Sequence, residues 1–153
     1  MAEQQPSCNI EKLYVKDLSL ELPNAPQVFM QAESPQLDVQ IHNASQHVSE
    51  ALYEVVVTVT VTAKAGEKTM FLAEVAQAGL FSIANVPAEE MEPLLGIGCP
   101  TILYPYVREA VSDLVTRAGF PPVLLAPVSF EALFLQRQQQ QGAGDQPRIE
   151  IAH

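Results

Sequence analysis

The segment Leu52–Ile83, which reads LYEVVVTVTVTAKAGEKTMFLAEVAQAGLFSI, constrains the fold of this chain more than any other stretch. From Tyr53 to Lys64 the side chains alternate between two faces, and most of them are β-branched. A two-residue period of this kind is typical of a β-strand. A short polar loop follows, in which Gly66 can adopt positive φ, and the apolar pattern resumes at Thr69. The segment therefore predicts a long antiparallel hairpin.

The second half of this hairpin is apolar on both faces. Odd positions include Phe71 and Phe81, even positions include Met70 and Leu72, and Glu74 is the single charge of the even face. A strand that is apolar on both faces must bury both of them. We expect one face to receive helices of its own subunit and the other to meet a second subunit. The alternative, a sheet sandwiched inside one monomer, requires more elements than the rest of the chain offers.

Length and charge narrow the class of protein. A chain of 153 residues with 48% hydrophobic residues is expected to form one domain with a substantial core. Its formal net charge of −10 argues against nucleic acid, because phosphate binding requires clustered Lys and Arg. The negative charge either serves solubility alone or favours binding of a basic protein partner, and composition does not decide between the two. Without a long apolar run or a basic leader, we expect no membrane insertion and a cytoplasmic location.

The first third of the chain predicts two more strands and a long connection. The first strand spans Asn9–Leu22, with Tyr14 on its apolar face and a bulge or bend near Lys16 and Asp17. Two prolines within 23–26 end it, and a crossover loop continues to Pro35. Val28, Phe29 and Met30 in this loop either tuck under the sheet or line a surface groove, and both readings stay open. The alternation of apolar and polar residues over 36–42 then predicts a strand with one solvent-exposed face, and a polar turn region follows to Glu50.

The last third predicts helices. A short helix follows Pro87, and an apolar turn is expected at Leu94–Gly98. From Pro100, an apolar stripe that includes Leu103 and Tyr106 predicts a helix closed by Gly119. Ser129 is a suitable N-cap for a last helix that extends to about Gln141. We expect a single domain over 9–141, with disordered ends at 1–8 and 142–153.

The residues predict no catalytic chemistry. Three histidines are scattered along the chain, and no nucleophile lies near one of them in a known pattern. The sequence contains no glycine-rich phosphate loop and no cysteine and histidine cluster for zinc, and its two cysteines are far apart in sequence. We therefore expect a protein that is not an enzyme and has no metal or other cofactor. Surplus apolar surface on an acidic scaffold is typical of a binding protein.

Several of these segments together resemble SecB, the bacterial protein-export chaperone family. The resemblance covers nearly the whole chain in order, and its most specific strings are P-N-A-P and CP-x-I-L-x-PY-x-REA. The segments that carry it are Lys16–Phe29, Tyr53–Ala63, Phe71–Ile83 and Gly98–Phe134. It implies an α+β fold with a four-stranded antiparallel sheet, a long crossover loop and helices packed on one face. It also implies a homotetramer that is a dimer of dimers.

The resemblance also assigns candidate sites. An acidic sheet surface is implied to contact the basic, zinc-carrying tail of the SecA motor ATPase, at Asp17, Glu21, Leu72 and Glu74. An apolar groove is implied to hold unfolded precursor proteins, with candidate residues Val28, Phe29, Leu103, Tyr104, Tyr106 and Leu124. Positions implied in subunit association are Ala73, Val75 and Gln77, where Ala73 replaces a more usual Cys.

The function implied by the resemblance is that of an ATP-independent holdase, which keeps precursors unfolded and passes them to SecA. Several weak apolar sites on one tetramer would raise avidity without sequence specificity. The alternative is a non-catalytic adaptor that binds one folded partner through its acidic sheet face.

Overall fold

The computed structural model describes residues 5–30, 33–141 and 150–152. Its sheet consists of four long antiparallel strands and a short fifth one, in the order β1-β4-β3-β2-β5. The strands are β1 (Ser7–Glu21), β2 (Gln36–Ser49), β3 (Leu52–Ala65), β4 (Lys68–Ala84) and β5 (Glu150–Ala152). The predicted α+β class is confirmed, with a long crossover from β1 to β2 and helices on one face of the sheet.

Strands β3 and β4 form the predicted hairpin. Val59 pairs with Val75, and a tight turn at Gly66, whose φ is 63°, joins the two strands. Odd-numbered side chains of β3 and, from Phe71 onward, of β4 face the helices, and Val59, Val75 and Phe81 are fully buried there. Because Val55, Val57, Val59 and Val61 on this face are all β-branched, the middle of β3 offers the helices a surface of side chains with restricted rotamers.

The helices form one continuous helical stretch, Ala88–Arg117, and one separate helix near the C-terminus. The continuous stretch contains α1 (Ala88–Pro93) and α2 (Cys99–Arg117), joined by a π-helical turn at Leu94–Gly98, where the sequence predicted an apolar turn. Helix α2 packs across β3 and β4. Its core stripe contains Tyr104, whereas Tyr106, which the sequence placed on the apolar stripe, is 47% exposed.

Both predicted helix boundaries of the C-terminal third are confirmed. Gly119 follows α2 with φ of 96°, a conformation that glycine adopts without a Cβ penalty. Ser129 Oγ accepts a hydrogen bond from the Ala132 N–H at 3.2 Å, and so caps α3 (Phe130–Gln141).

Three strand boundaries differ from the sequence-based expectation. Strand β2 continues to Ser49 through residues expected to form a polar turn, because β3 supplies backbone partners along the whole length, including Tyr53 opposite His47. Strand β1 already begins at Ser7, which pairs with Ala84. Strand β5 lies in the tail that was expected to be disordered, while 142–149 lie outside the described residues. In each case backbone pairing with another strand overrides local composition.

Strand β1 changes the face of its side chains twice. Its register against β4 shifts between Ile10 and Lys12, which was not predicted, and again between Val15 and Asp17, which confirms the predicted bulge. Tyr14 pairs with Ala78 and therefore lies on the sheet face opposite the helices, so its predicted place on the apolar face is wrong. A bulge inserts one residue and moves every later side chain to the other face.

Candidate functional site

The four residues predicted for the SecA contact lie together on the sheet face away from the helices. Glu21 of β1 is directly opposite Leu72 of β4, and Glu74 is opposite Ser19. Asp17 and Glu21 are exposed, and Leu72 and Glu74 are partly buried. We call these four residues, Asp17, Glu21, Leu72 and Glu74, the acidic patch. Residues two apart on a strand share a face, so two adjacent strands bring three carboxylates and one leucine onto one surface, with Glu21 and Glu74 beside Leu72 and Asp17 further along β1.

The bulge after Val15 is what places Asp17 in the acidic patch. Tyr14 and Asp17 both lie on the outer face although they are three residues apart, because the bulge adds Lys16 between them. Glu74 is held by Thr60, whose hydroxyl donates a hydrogen bond to its carboxylate at 2.7 Å. The acidic patch is therefore fixed by the backbone of β1 and by a side chain of β3.

A buried carboxylate, Glu54, lies on the same outer face as the acidic patch, opposite Leu80 of β4. It is only 7% exposed and accepts hydrogen bonds from Tyr14, from Lys16 Nζ at 2.8 Å and from Gln46 Nε2 at 2.9 Å. Burial opposes its ionisation, but the bonds from Lys16, Tyr14 and Gln46 outweigh that effect and lower the pKa of Glu54. Burial, and next the carboxylate of Glu54, raise the pKa of Tyr14 to about 12. Glu54 thereby joins β1, β2 and β3 across β4.

We expect this network to control how the stability of the fold depends on pH, in both the acid and the alkaline range. Because the folded pKa of Glu54 is below its ordinary value of 4.5, its contribution is present above that pH and is lost as the pH falls through the folded pKa. Because the folded pKa of Tyr14 is raised from 10.0 to about 12, its contribution is complete below pH 10 and is lost as the pH rises through the folded value.

Urea unfolding followed by circular dichroism, at fixed protein concentration and a series of pH values, measures the free energy of unfolding. Glu54→Gln should reduce its loss at acid pH, and Tyr14→Phe should reduce its loss at alkaline pH. A wild-type loss at acid pH in Glu54→Gln would contradict the assignment to Glu54.

An apolar cavity opens between the crossover loop and the segment that follows α2. Its volume is about 390 Å³, and its walls combine aromatic, aliphatic and proline side chains. Three of its rings lie in contact: the Phe29 and Phe120 centroids are 5.2 Å apart and the Phe71 and Phe120 centroids 5.0 Å. We call this cavity the aromatic groove, lined mainly by Val28, Phe29, Leu37, Met70, Phe71, Phe120 and Val123.

Local contacts explain how the loop presents Phe29 to the groove. Asn24 Nδ2 donates a hydrogen bond to the Thr69 carbonyl at 2.9 Å, which ties the P-N-A-P turn to the start of β4. The amide of Val28 then bonds to the Asn24 carbonyl at 2.9 Å. A Cβ at Gly119 would lie 3.0 Å from Phe29 Cε1, so glycine there leaves room for the ring. The family-specific string P-N-A-P thus positions the groove.

The six predicted groove residues lie in three different places. Val28 is 2% exposed at the base of the groove, and Phe29 is 49% exposed at its rim, so the crossover loop supplies both core and surface. Leu103 and Tyr104 lie in the core, where the Tyr104 hydroxyl donates to the Ala126 carbonyl at 2.5 Å.

The remaining two predicted groove residues, Tyr106 and Leu124, are exposed outside the aromatic groove. Leu124 lines a second cavity of about 590 Å³ between α2 and the segment before α3. The prediction missed Phe71 and Phe120. The available signal for Phe120 was an aromatic residue between a helix-ending glycine and two prolines.

The three residues predicted for subunit association are buried on the helix-facing side of β4. Ala73, Val75 and Gln77 pair with Val61, Val59 and Val57 of β3. On their other side they neighbour β1 residues of the same face, Leu20, Leu18 and Val15, of which Leu18 and Val15 are each 49% exposed. If a second copy covers β1, a change at Ala73, Val75 or Gln77 would affect that contact indirectly, by shifting these β1 side chains.

The described residues carry no arrangement that suggests catalysis. Burial, together with the neighbouring Cys8, raises the pKa of Cys99 to about 12, so its thiol is protonated at neutral pH and a poor nucleophile. No group of three or more histidine, cysteine or carboxylate side chains within 5–30, 33–140 could hold a metal ion. Among the helices described, none has the length and apolar character to cross a bilayer.

Comparison with known proteins gives the family. The SecB family model, described as preprotein translocase subunit SecB, matches residues 1–141. The protein-export protein SecB of Methylobacillus flagellatus is 61% identical over 139 residues, which cover 91% of this chain and 88% of that protein. The protein of the same name from Chromobacterium violaceum is 60% identical over 139 residues, covering 91% and 93%. That of Neisseria gonorrhoeae is 56% identical over 143 residues, covering 93% and 97%.

A solved structure shows the same fold. The SecB-like chaperone of Mycobacterium tuberculosis, in complex with a ChAD peptide from the HigA1 antitoxin, matches with a TM-score of 0.66 at 20% identity. The match covers 79% of this chain and 90% of that one. By its sequence, the chain belongs to the SecB protein-export family.

Proposed function

We propose that this protein is an ATP-independent holdase of the cytoplasm, which keeps precursor proteins unfolded and delivers them to the SecA translocation ATPase. The observation that supports the first half most directly is the aromatic groove, because it offers half-exposed aromatic surface next to a fixed apolar wall. Membership of the protein-export family supports the second half.

Binding of clients in the aromatic groove follows from burial of apolar surface. An unfolded chain exposes side chains that a folded protein hides, and covering them releases about 25 cal/mol per Å². Phe29 and Phe120 present ring faces and edges that accept many apolar shapes. Such a groove selects for non-native character without a strict sequence requirement. No nucleotide is needed, since slowly folding chains stay bound and fast folders escape.

Delivery to SecA is assigned to the acidic patch. Asp17, Glu21 and Glu74 supply negative charge on the outer sheet face, and Leu72 supplies apolar contact beside Glu21 and Glu74. A basic, zinc-carrying segment of SecA complements this surface. The acidic patch and the aromatic groove are separate, so one protein holds both partners at once.

Self-association into a tetramer is supported by the uncovered apolar side of β1. Ile10, Val15 and Leu18 are each about half exposed and lie on the helix-facing side of the sheet. A second copy that covers them would bury surface that one subunit leaves open. Light-scattering mass in solution tests the tetramer, and a monomeric mass would remove this part of the proposal.

Suppression of aggregation tests the holdase activity. A protein diluted from denaturant should stay soluble in the presence of this chain, without any nucleotide, at ratios near one tetramer per client. Light scattering of the client measures the effect. Binding to SecA without any suppression would favour the adaptor function, in which the acidic sheet face recognises one folded partner.

We expect Phe29→Ala to weaken binding of an unfolded client by about tenfold, which corresponds to roughly 1.4 kcal/mol. The variant removes the half-exposed ring at the rim of the groove and leaves the buried Val28 in place. Leu135→Ala on α3 is the matched control, since Leu135 is 51% exposed and lies outside the groove. Fluorescence anisotropy with a permanently unfolded, carboxymethylated protein measures both. Equal losses in the two variants would contradict the groove assignment.

A further inference from the structure

The free edge of β2 is occupied by a short strand from the end of the same chain. Strand β5 pairs antiparallel with β2, with Asp38 opposite Ala152, Val39 opposite Ile151 and Gln40 opposite Glu150. In the strand order β1-β4-β3-β2-β5, β2 would be the edge of the sheet here without β5. An edge strand presents unpaired N–H and C=O groups that accept another extended segment. The pairing shows that this edge accommodates such a segment.

The β2 edge is regular, unlike the opposite edge of the sheet. The register between β2 and β3 is unbroken from Gln36 to His47, whereas β1 carries two register shifts along its length. Bulges twist an edge and interrupt its row of hydrogen-bonding groups. Between the two outer strands, β2 is therefore the better template for addition of a strand.

The occupied edge is also continuous with the aromatic groove. Leu37, which directly precedes the three paired residues, lines the groove. It also lines a neighbouring cavity of about 350 Å³, shared with Gln36, Asp38, Thr62, Lys64 and Gly66. An extended segment that leaves the groove at Leu37 would next meet Asp38–Gln40, where β5 lies. Since strand side chains alternate, such a segment would direct them in turn to the two faces of the sheet.

Strand β5 is placed to leave this edge readily. Among the described residues, three pairs join it to β2, while β2 and β3 pair over thirteen. It follows α3, whose Arg137 hydrogen-bonds to Asn43 of β2, so the tail begins close to the edge that it covers. A tethered strand with few pairs has a high effective concentration and a low intrinsic affinity.

We propose that Glu150–Ala152 is an intramolecular placeholder for the β2 edge, and that an extended segment of a non-native polypeptide displaces it and pairs with Asp38–Gln40. The inference rests on the proposed holdase function and adds to it a backbone-pairing site and an internal competitor. The backbone of the client then receives partners at the edge while its apolar side chains enter the groove.

Two full-length variants test the placeholder. Glu150→Pro/Ile151→Pro removes both amide donors and cannot continue a ladder, whereas the control Glu150→Thr/Ile151→Val keeps strand-forming residues. The apparent affinity for a client is reduced by the fraction of time that the edge is free. If β5 is seated for roughly two-thirds to four-fifths of the time, its removal strengthens client binding about three- to fivefold.

The experiment measures two quantities with a carboxymethylated, permanently unfolded protein as the probe. Hydrogen exchange over 37–41 should quicken in the proline variant alone and slow again when the probe is bound. The affinity for the probe, from anisotropy, should rise in that variant and stay at the wild-type value in the control. Faster exchange with unchanged affinity would overturn the client site at this edge, and unchanged exchange would overturn the placeholder. If neither variant nor wild type binds the probe, the holdase function itself falls, and the inference with it.

Discussion

The double variant Asp17→Lys/Glu74→Lys should bind SecA about 100-fold more weakly than the wild type, a loss of roughly 2.7 kcal/mol, and should still hold unfolded clients. Asp17 and Glu74 lie on adjacent strands of the outer face, where Glu74 is opposite Ser19 and Asp17 is two residues before Ser19. Reversal turns attraction for a basic partner into repulsion at two points of one surface. The aromatic groove lies outside this surface, so the affinity for clients should not change.

Calorimetry with purified SecA measures this effect, and a matched charge control isolates its cause. Glu67→Lys/Glu109→Lys changes the net charge by the same amount at two exposed positions away from the acidic patch. The control should bind SecA within about threefold of the wild type, since surface charges more than about 10 Å apart are screened at 0.1 M salt. Equal losses in both double variants would show that net charge, rather than the acidic patch, governs the contact.

The second large effect is expected in the core, where Gly79→Val should destabilise the fold by about 3 kcal/mol. A Cβ at Gly79 would lie 2.8 Å from Phe81 Cε2 and 3.0 Å from Leu103 Cδ2. Phe81 and Leu103 are fully buried, so neither has room to move, and valine adds two further methyl groups. Glycine at this point of β4 allows α2 to approach the sheet closely.

Urea unfolding at pH 7 and fixed protein concentration measures the loss. Leu80→Val, at the next residue on the opposite face of β4, is the control and should cost less than about 1 kcal/mol, because that side chain is only partly buried. A Gly79→Val variant as stable as Leu80→Val would mean that α2 packs more loosely on β4 than the distances indicate.

Local chemistry accounts for the parts of the fold that were predicted correctly. The β3–β4 hairpin follows from a two-residue period with a glycine turn, and the ends of the last two helices follow from Gly119 and Ser129. The bulge near Lys16 was also predicted. Its consequence was not, since Tyr14 faces Glu54 on the outer sheet surface instead of the helices. Which side chains lie on which face depends on which residue of β1 is left unpaired at the bulge, and only the pairing with β4 shows that.

The candidate sites were likewise predicted in part and completed by contacts that only the fold provides. The acidic patch was assigned by resemblance, and its four residues meet because two antiparallel strands bring Glu21 beside Leu72. The aromatic groove was predicted only in part: the crossover loop residue Phe29 lies at its rim, while Leu103 and Tyr104 lie in the core. Phe120 completes the groove from a segment 91 residues away from Phe29 along the chain. No local pattern joins residues at that separation.

The sequence by itself determined the elements of this protein, its acidic character and its family, because period, turn residues and charge are local properties that each stretch carries with it. Tertiary structure alone decided which side chains become surface. Burial of Tyr104 in place of Tyr106 and the meeting of Phe29, Phe71 and Phe120 depend on partners that are distant in sequence, and the continuation of β2 to Ser49 depends on pairing with β3. Packing and backbone pairing are properties of pairs of segments, and their free energy exists only once the chain has brought those segments together.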